Sequence, residues 1–177
     1  MSVLKLVLAP SLILKNKSEL INNINKPISQ LANNMFETMY KYGGVGLSAP
    51  QVSQSLQLIV IDCSGKDKKF TPSTIINPKI INLSTGFSVN DEGCLSFPNQ
   101  FYEIKRPNSA LVEYIDIHGK PITKNFSGFE AVCIQHEIDH LKGTLFVDYM
   151  SKLRRTMILK KMIKYKKNLL IKEKFTI

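Results

Sequence analysis

The stretch that decides the fold runs from Ser127 to Leu141 and reads SGFEAVCIQHEIDHL. Its opening has the Ser-x-x-Glu spacing of a capping box, in which two side chains bond the free backbone N–H groups at a helix start. We therefore predict a helix that begins here and continues to about Leu141. His136 and His140 lie four residues apart, so the helix presents both imidazoles on one face.

The segment His136-Glu137-Ile138-Asp139-His140 is an H-E-x-x-H pattern, and it uses two of only three histidines in the chain. Two imidazoles on one helical face can reach the same metal ion. Glu137 follows the first histidine and can point at a water on that ion, where it would act as a general base. The pattern predicts a metal site, which normally has a third protein ligand.

The H-E-x-x-H pattern does not itself supply the third ligand. Phe146 stands where the long metzincin pattern has another histidine, and the only glutamate further along the chain is Glu173. Cys133 is seven residues from His140, about 10.5 Å along the axis, so we predict that it packs in the core or lines a pocket. Cys94, in the segment EGCLSFP, is the best remaining candidate. A thiolate with two imidazoles suits zinc, iron or nickel.

The segments around this helix predict an α+β fold, with antiparallel sheets packed around a central metal-ligand helix and a C-terminal helix. Apolar periodicity predicts a helix from Pro27 that ends by Gly43, and β-branched runs predict strands. The predicted strands are 56–61, 74–83 (broken by Pro78), and 110–115 and 121–126, which flank a hairpin turn at His118-Gly119.

Composition limits the class of protein. The 177 residues carry 24 basic and 14 acidic side chains, a net charge of +10, and ten of the basic side chains lie in residues 151–177. We predict one domain, with a nearly neutral catalytic body at 1–150 and an appended basic helix and tail at 151–177.

No apolar run approaches the roughly 18 residues of a membrane span, and a neutral body argues against DNA binding. Three cysteines favour a reducing compartment, so we expect a cytoplasmic protein.

A glycine-rich segment, GVGLSAPQ at 44–51, lacks the ending and the context of a phosphate-binding loop. We interpret it as a loop that lets a substrate backbone lie close. Gln51 could then offer its amide N–H to a developing oxyanion.

Together, GVGLSAPQ, EGCLSFP and QHEIDHLKG resemble, in this order, the three motifs of the peptide deformylase family, and the similarity extends over nearly the whole chain. Two positions depart from the family pattern. Ser48 replaces the more usual alanine, and Phe101 stands where some bacterial relatives carry an arginine at the rim of the substrate cleft.

The resemblance implies an enzyme that removes the N-formyl group from N-formyl-methionyl nascent peptides. It implies one divalent ion, with Fe(II) expected in the cell and zinc or nickel as substitutes, held by Cys94, His136 and His140. It also implies that Glu137 transfers the proton, and that the Gln51 side chain and the Leu95 backbone N–H meet the oxyanion. We expect a monomer.

The substrate's methionine needs an apolar pocket. The predicted contacts are Val45, Gly46, Phe129, Val132 and Cys133, for which ordinary core packing is the alternative. We also predict that Arg106 pairs with Asp139 to brace the ligand helix.

The tail predicts an amphipathic helix. Its apolar stripe is Ile158, Met162, Tyr165 and Leu169, flanked by Leu159, Ile163 and Leu170; its lysine face is Lys160, Lys161, Lys164 and Lys167, with Lys166 as the exception. We predict that this face contacts the ribosome, since the substrate emerges from a polyanionic particle. A solvated face or an anionic membrane surface are the alternatives. Truncation after Ser151 is expected to weaken ribosome binding and to leave activity on a free formyl dipeptide.

Two other function classes remain open from the residues alone. Another H-E-x-x-H metallopeptidase would cleave acetylated or unblocked peptides. A non-catalytic protein that binds the ribosome or RNA would be indifferent to metal removal.

Overall fold

The computed structural model describes residues 2–64 and 71–174, with side chains described up to residue 171. Three α-helices and seven strands account for most of these residues. The helices are α1 (Lys26–Lys41), α2 (Gly128–Leu141) and α3 (Lys152–Lys174). The strands are β1 (Gly46–Ser48), β2 (Leu58–Ile61), β3 (Ser73–Leu83), β4 (Phe87–Gly93), β5 (Phe101–Pro107), β6 (Ser109–Ile115) and β7 (Pro121–Ser127). Short 3₁₀ helices lie at Leu12–Lys15, Ala49–Val52 and Phe146–Tyr149.

Five strands form an antiparallel sheet in the order β1-β2-β3-β6-β7. The predicted hairpin joins β6 to β7. Its turn is closed by the Asp116 carboxylate, which accepts bonds from the backbone N–H groups of His118 and Lys120, each at 2.9 Å. The predicted α+β class with antiparallel sheets is confirmed.

The predicted break at Pro78 is a bulge inside one long strand. The register between β3 and β6 shifts between Ile76 and Lys79, and Asn77 has a φ of 50°. A bulge leaves one residue outside the ladder, which accommodates a proline without a backbone N–H. The Asn77 side chain uses this site to bond both backbone groups of Ile21 at 2.9 Å.

Two elements differ from the sequence-based prediction. Strands β4 and β5 form a separate two-stranded sheet that the sequence did not predict, since β4 reads FSVNDEG and is mostly polar and exposed. The glycine-rich segment was predicted as a loop, but Gly46–Ser48 is a strand that pairs with β2, followed by a 3₁₀ helix.

Helix α2 lies at the centre of the molecule and packs on both sheets. Ser127 is its N-cap, as predicted, but its side chain makes no capping hydrogen bond. The capping-box prediction is wrong because Glu130 accepts a bond from Lys124 of the adjacent β7 at 2.6 Å instead.

Three apolar clusters surround the centre. The first joins α2 to the large sheet through Ile134 and Phe126. The second joins α1 to β1 and β2, and the third joins the N-terminal segment to the 3₁₀ helix at Phe146–Tyr149 and to α3. Cys133 belongs to the first cluster, Leu95 packs against the second, and Cys94 packs against the third. The predicted metal site therefore lies where the three clusters meet.

Helix α3 is present as predicted. Ile158 and Met162 are buried in the third cluster, whereas Ile163 and Leu170 are exposed. Residues 175–177 of the predicted tail lie outside the described part of the chain, as does the side chain of Glu173. Among the described residues, no helix combines the length and the apolar character needed to cross a membrane.

Candidate metal centre

The structure brings the three predicted ligands together. One ligand atom each from Cys94, His136 and His140 lies within 4.8 Å of the other two. Cys94 directly follows β4, and the histidines lie on adjacent turns of α2. Because the β4–β5 sheet packs against α2, a residue at the end of β4 reaches the histidine face of the helix.

The site fits a divalent ion. Cys94 Sγ lies 3.2 Å from His140 Nε2, close to the roughly 3.5 Å that separates two ligands of one tetrahedral ion. Beside them, Glu137 Oε2 is buried and has no hydrogen-bond partner in the described part of the chain. A buried carboxylate oxygen is costly unless it is satisfied, so it marks a place for a water or an ion.

A network behind the site orients His136. Its Nδ1–H donates to Glu92 at 2.8 Å, which directs Nε2 toward the other ligands. Glu92 also accepts bonds from Arg106, whose Nη1 reaches Asp139 at 2.8 Å. The predicted Arg106–Asp139 pair is thus present. The role of Glu92 was not predicted, although its position two residues before the candidate ligand Cys94 was a usable signal.

The surroundings of the two histidines shift their pKa values in opposite directions. Burial alone lowers the pKa of His136, but its contacts with Cys94 and Glu92 outweigh this and raise the pKa. Burial, together with the charges of His136 and Arg106, lowers the pKa of His140. His140 is therefore neutral and has a lone pair available, which is the form that binds a metal.

Glu137 is placed to exchange protons near neutral pH. Burial raises its pKa to about 7, against the opposing effect of His136. Gly46 makes room for it, since a Cβ at this position would lie 2.6 Å from Glu137 Oε1. Because Gly46 has no side chain, the Glu137 carboxylate can lie beside the three ligands.

Gln51 is held with its amide nitrogen toward the site. Its Nε2 lies 3.4 Å from Cys94 Sγ and 3.3 Å from Ser96 Oγ. Its Oε1 accepts two bonds from Ser48, from the backbone N–H at 2.9 Å and from the hydroxyl at 2.8 Å. The serine that departs from the family pattern therefore adds one bond to the support of Gln51. The Leu95 N–H donates to no acceptor within the described residues.

A cavity of about 750 Å³ opens onto these groups. All five predicted substrate contacts line it: Val45, Gly46, Phe129, Val132 and Cys133. Val132 and Cys133 are buried at its inner end, whereas Val45 and Phe129 are exposed at its rim, as is Phe101. Among the lining residues that were not predicted as contacts, four apolar or aromatic ones come from the two ends of the chain: Leu6, Leu8, Tyr165 and Leu169.

The chain matches known proteins over most of its length. The family model described as "Polypeptide deformylase" matches residues 3–156. A peptide deformylase of Pelagibacter ubique is 43% identical over 97% of this chain and 99% of its own length, and one of Agrobacterium fabrum is 40% identical over 93% and 96%.

Solved structures agree with this match. A crystal structure of peptide deformylase from Ehrlichia chaffeensis has a TM-score of 0.89 and 37% identity, and covers 96% of this chain and 99% of its own. The same enzyme in complex with actinonin has a TM-score of 0.89 and 38% identity over 93% of this chain and 98% of its own. The fold, the motifs and the match together establish that this chain belongs to the polypeptide deformylase family.

Proposed function

We propose that this chain hydrolyses the N-formyl group of N-formyl-methionyl peptides and releases formate. The observation that carries the proposal is the group of Cys94, His136 and His140, with Glu137 Oε2 beside them at the wall of a peptide-sized cavity and without a hydrogen-bond partner among the described residues. The relatives named peptide deformylase support the same reaction.

The two histidines and the cysteine would hold one divalent ion. Ferrous iron is our proposal for the cell, and zinc or nickel suits the same donor set. When bound, such an ion supplies Lewis acidity and lowers the pKa of water at the site.

Glu137 moves the proton. Its carboxylate accepts a proton from the attacking water and returns it to the departing amine. Burial raises the pKa of this carboxyl group, and a raised pKa makes its carboxylate a stronger base toward the proton of the water.

Gln51 and Leu95 stabilise the charge that develops on the formyl oxygen. The Gln51 amide is fixed by Ser48 and Ser96 before substrate arrives, and preorganised donors need no rearrangement during the reaction. The Leu95 backbone N–H is the second donor.

The methionine side chain packs against Val132 and Cys133 at the inner end of the cavity, with Phe129 at the rim. The peptide backbone passes Val45 and Gly46. The cavity is large enough for a short peptide and mostly apolar on this side, as a methionine requires.

The test is a substrate panel with protein loaded with iron or nickel without oxygen. We expect formate from formyl-Met-Ala, and no cleavage of acetyl-Met-Ala or Met-Ala. Cleavage of the Met–Ala bond in the last two would indicate a metallopeptidase, and no reaction with any of the three would indicate a non-catalytic protein.

We further propose that the chain acts as a cytoplasmic monomer that contacts the ribosome through α3. Four lysines, Lys160, Lys161, Lys164 and Lys167, are exposed on this helix. Replacing all four by glutamine should weaken binding to ribosomes and flatten its salt dependence, because each lost phosphate contact removes counterion release.

The matched control replaces four exposed lysines of the body by glutamine: Lys26, Lys41, Lys79 and Lys120. Equal ribosome affinity in the two variants would contradict the proposal. Loss of binding to anionic vesicles, with ribosome binding unchanged, would indicate a membrane surface instead.

A further inference from the structure

The C-terminal helix is part of the cavity wall. Tyr165 and Leu169 of α3 line the same cavity as Cys94 and His136. Both residues lie beyond residue 156, where the match to the family model ends. The wall that they form is therefore outside the part of the chain that carries the family's motifs.

This wall is fixed in place. Ile158 and Met162 anchor α3 in the third cluster beside Phe97 and Phe146. One turn after Met162, Lys166 Nζ lies 3.2 Å from the Leu8 carbonyl oxygen and 2.9 Å from that of Pro10. These bonds hold the helix to the N-terminal segment that supplies Leu6 and Leu8 to the cavity.

Two walls of the cavity belong to different parts of the core: the α3 wall, formed by Tyr165 and Leu169, and the α2 wall, formed by Val132 and Cys133. Cys133 lies in the cluster between α2 and the large sheet, whereas Tyr165 packs against the cluster that also includes Phe97 and adjoins Cys94. Successive side chains of an extended peptide point in opposite directions. A methionine placed on the α2 wall would thus direct the next side chain toward a different wall.

We infer that Tyr165 and Leu169 contact the residues that follow the formyl-methionine and select for apolar ones. This inference rests on the proposed deformylase function and adds a specificity determinant to it. Leu6, Leu8 and Leu169 offer aliphatic surface. Tyr165 offers a ring and a hydroxyl that makes no hydrogen bond within the described part of the chain, so it is available to a peptide carbonyl.

Truncation after Ser151 was expected to leave activity on a free formyl dipeptide, but the position of α3 at the cavity predicts an additional effect on peptide binding. Removing α3 would remove Tyr165 and Leu169 from the cavity and uncover the third cluster. The effect of truncation would then appear in peptide binding as well as in ribosome binding.

The experiment compares the Michaelis constants of two formylated tripeptides, formyl-Met-Leu-Leu and formyl-Met-Gly-Gly. In the double variant Tyr165→Ala/Leu169→Ala, we expect KM for formyl-Met-Leu-Leu to rise about five- to twentyfold, and KM for formyl-Met-Gly-Gly to rise much less. The matched control is Ile163→Ala/Leu170→Ala, which removes two exposed apolar residues of the same helix. Tyr165→Phe, which keeps the ring, should restore most of the preference for leucine.

An equal change in KM for both peptides, no change, or the same change in the control would overturn the inference. Thermal unfolding of each variant separates a binding effect from a loss of structure, and the single variant Leu169→Ala serves if the double variant unfolds. A wild-type protein that releases no formate from either peptide would contradict the proposed function itself, which is a separate result.

Discussion

Helices α2 and α3 differ in what they bury. Eleven of the fourteen residues of α2 are buried, including His136, Glu137 and His140. In α3 only Ile158 and Met162 are buried among the described side chains, and the lysine face is exposed. A polar residue in α2 must therefore have a partner or a ligand, whereas a polar residue in α3 needs neither.

This difference determines where function can be recognised. In α2 the proposed chemistry depends on a few buried polar groups, and their spacing predicts it. In α3 the four lysines proposed to contact the ribosome are exposed, as surface lysines commonly are, and the side chains that mark the cavity are the half-buried Tyr165 and Leu169. Three pairs of variants test this comparison, and each pair changes one buried and one exposed residue.

The largest effect on stability is expected behind α2. Arg106→Ala leaves the carboxylates of Glu92 and Asp139 without their buried partner, and breaking such a pair costs about 3–5 kcal/mol of the free energy of unfolding. Lys15→Ala removes an exposed ion pair with Asp148 and should cost less than about 1 kcal/mol. Urea denaturation measures both, and equal losses would contradict the role given to the buried network.

The next effect is expected on α3. Ile158→Ala creates a cavity in the third cluster and should cost about 2–5 kcal/mol of the free energy of unfolding. Ile163→Ala, five residues further on the exposed side, should stay within about 0.5 kcal/mol. If the two variants unfold at the same urea concentration, α3 is not packed on the body as described.

The smallest effect concerns the room that β1 leaves for Glu137. A methyl group at Gly46 would lie 2.6 Å from the carboxylate and displace it, so Gly46→Ala should lower kcat/KM about tenfold, equivalent to about 1.4 kcal/mol. At Gly86 the added methyl group meets only the end of the Asn108 side chain, and Gly86→Ala should keep full activity. Full activity in both variants would show that the carboxylate is not held in this position.

The sequence predicted the parts of the site that depend on local spacing. His136 and His140 share a face because they are four residues apart in a helix, and the β6–β7 hairpin follows from two β-branched runs. The capping-box prediction is wrong although the sequence pattern is present, because Lys124 from a neighbouring strand donates a hydrogen bond to the Glu130 carboxylate.

The missed parts depend on contacts between distant segments. Strand β4 is mostly polar, so its sequence pattern did not predict a strand. The small sheet that places Cys94 beside α2 was therefore missed. Tyr165 and Leu169 belong to the predicted apolar stripe of α3, and their place at the cavity follows only once α3 is docked beside Leu6 and Leu8. Long-range packing of this kind has no signature in local periodicity.

The most direct test of the metal centre is formate release per bound metal ion, measured for wild type, Glu137→Gln and the control Glu130→Gln. Glu130 is a buried glutamate of the same helix that pairs with Lys124 away from the ligands. We predict that all three proteins bind one ion, and that only Glu137→Gln loses activity, by a factor on the order of 10²–10⁴ for removal of a general base. Wild-type activity per ion in Glu137→Gln would contradict the account.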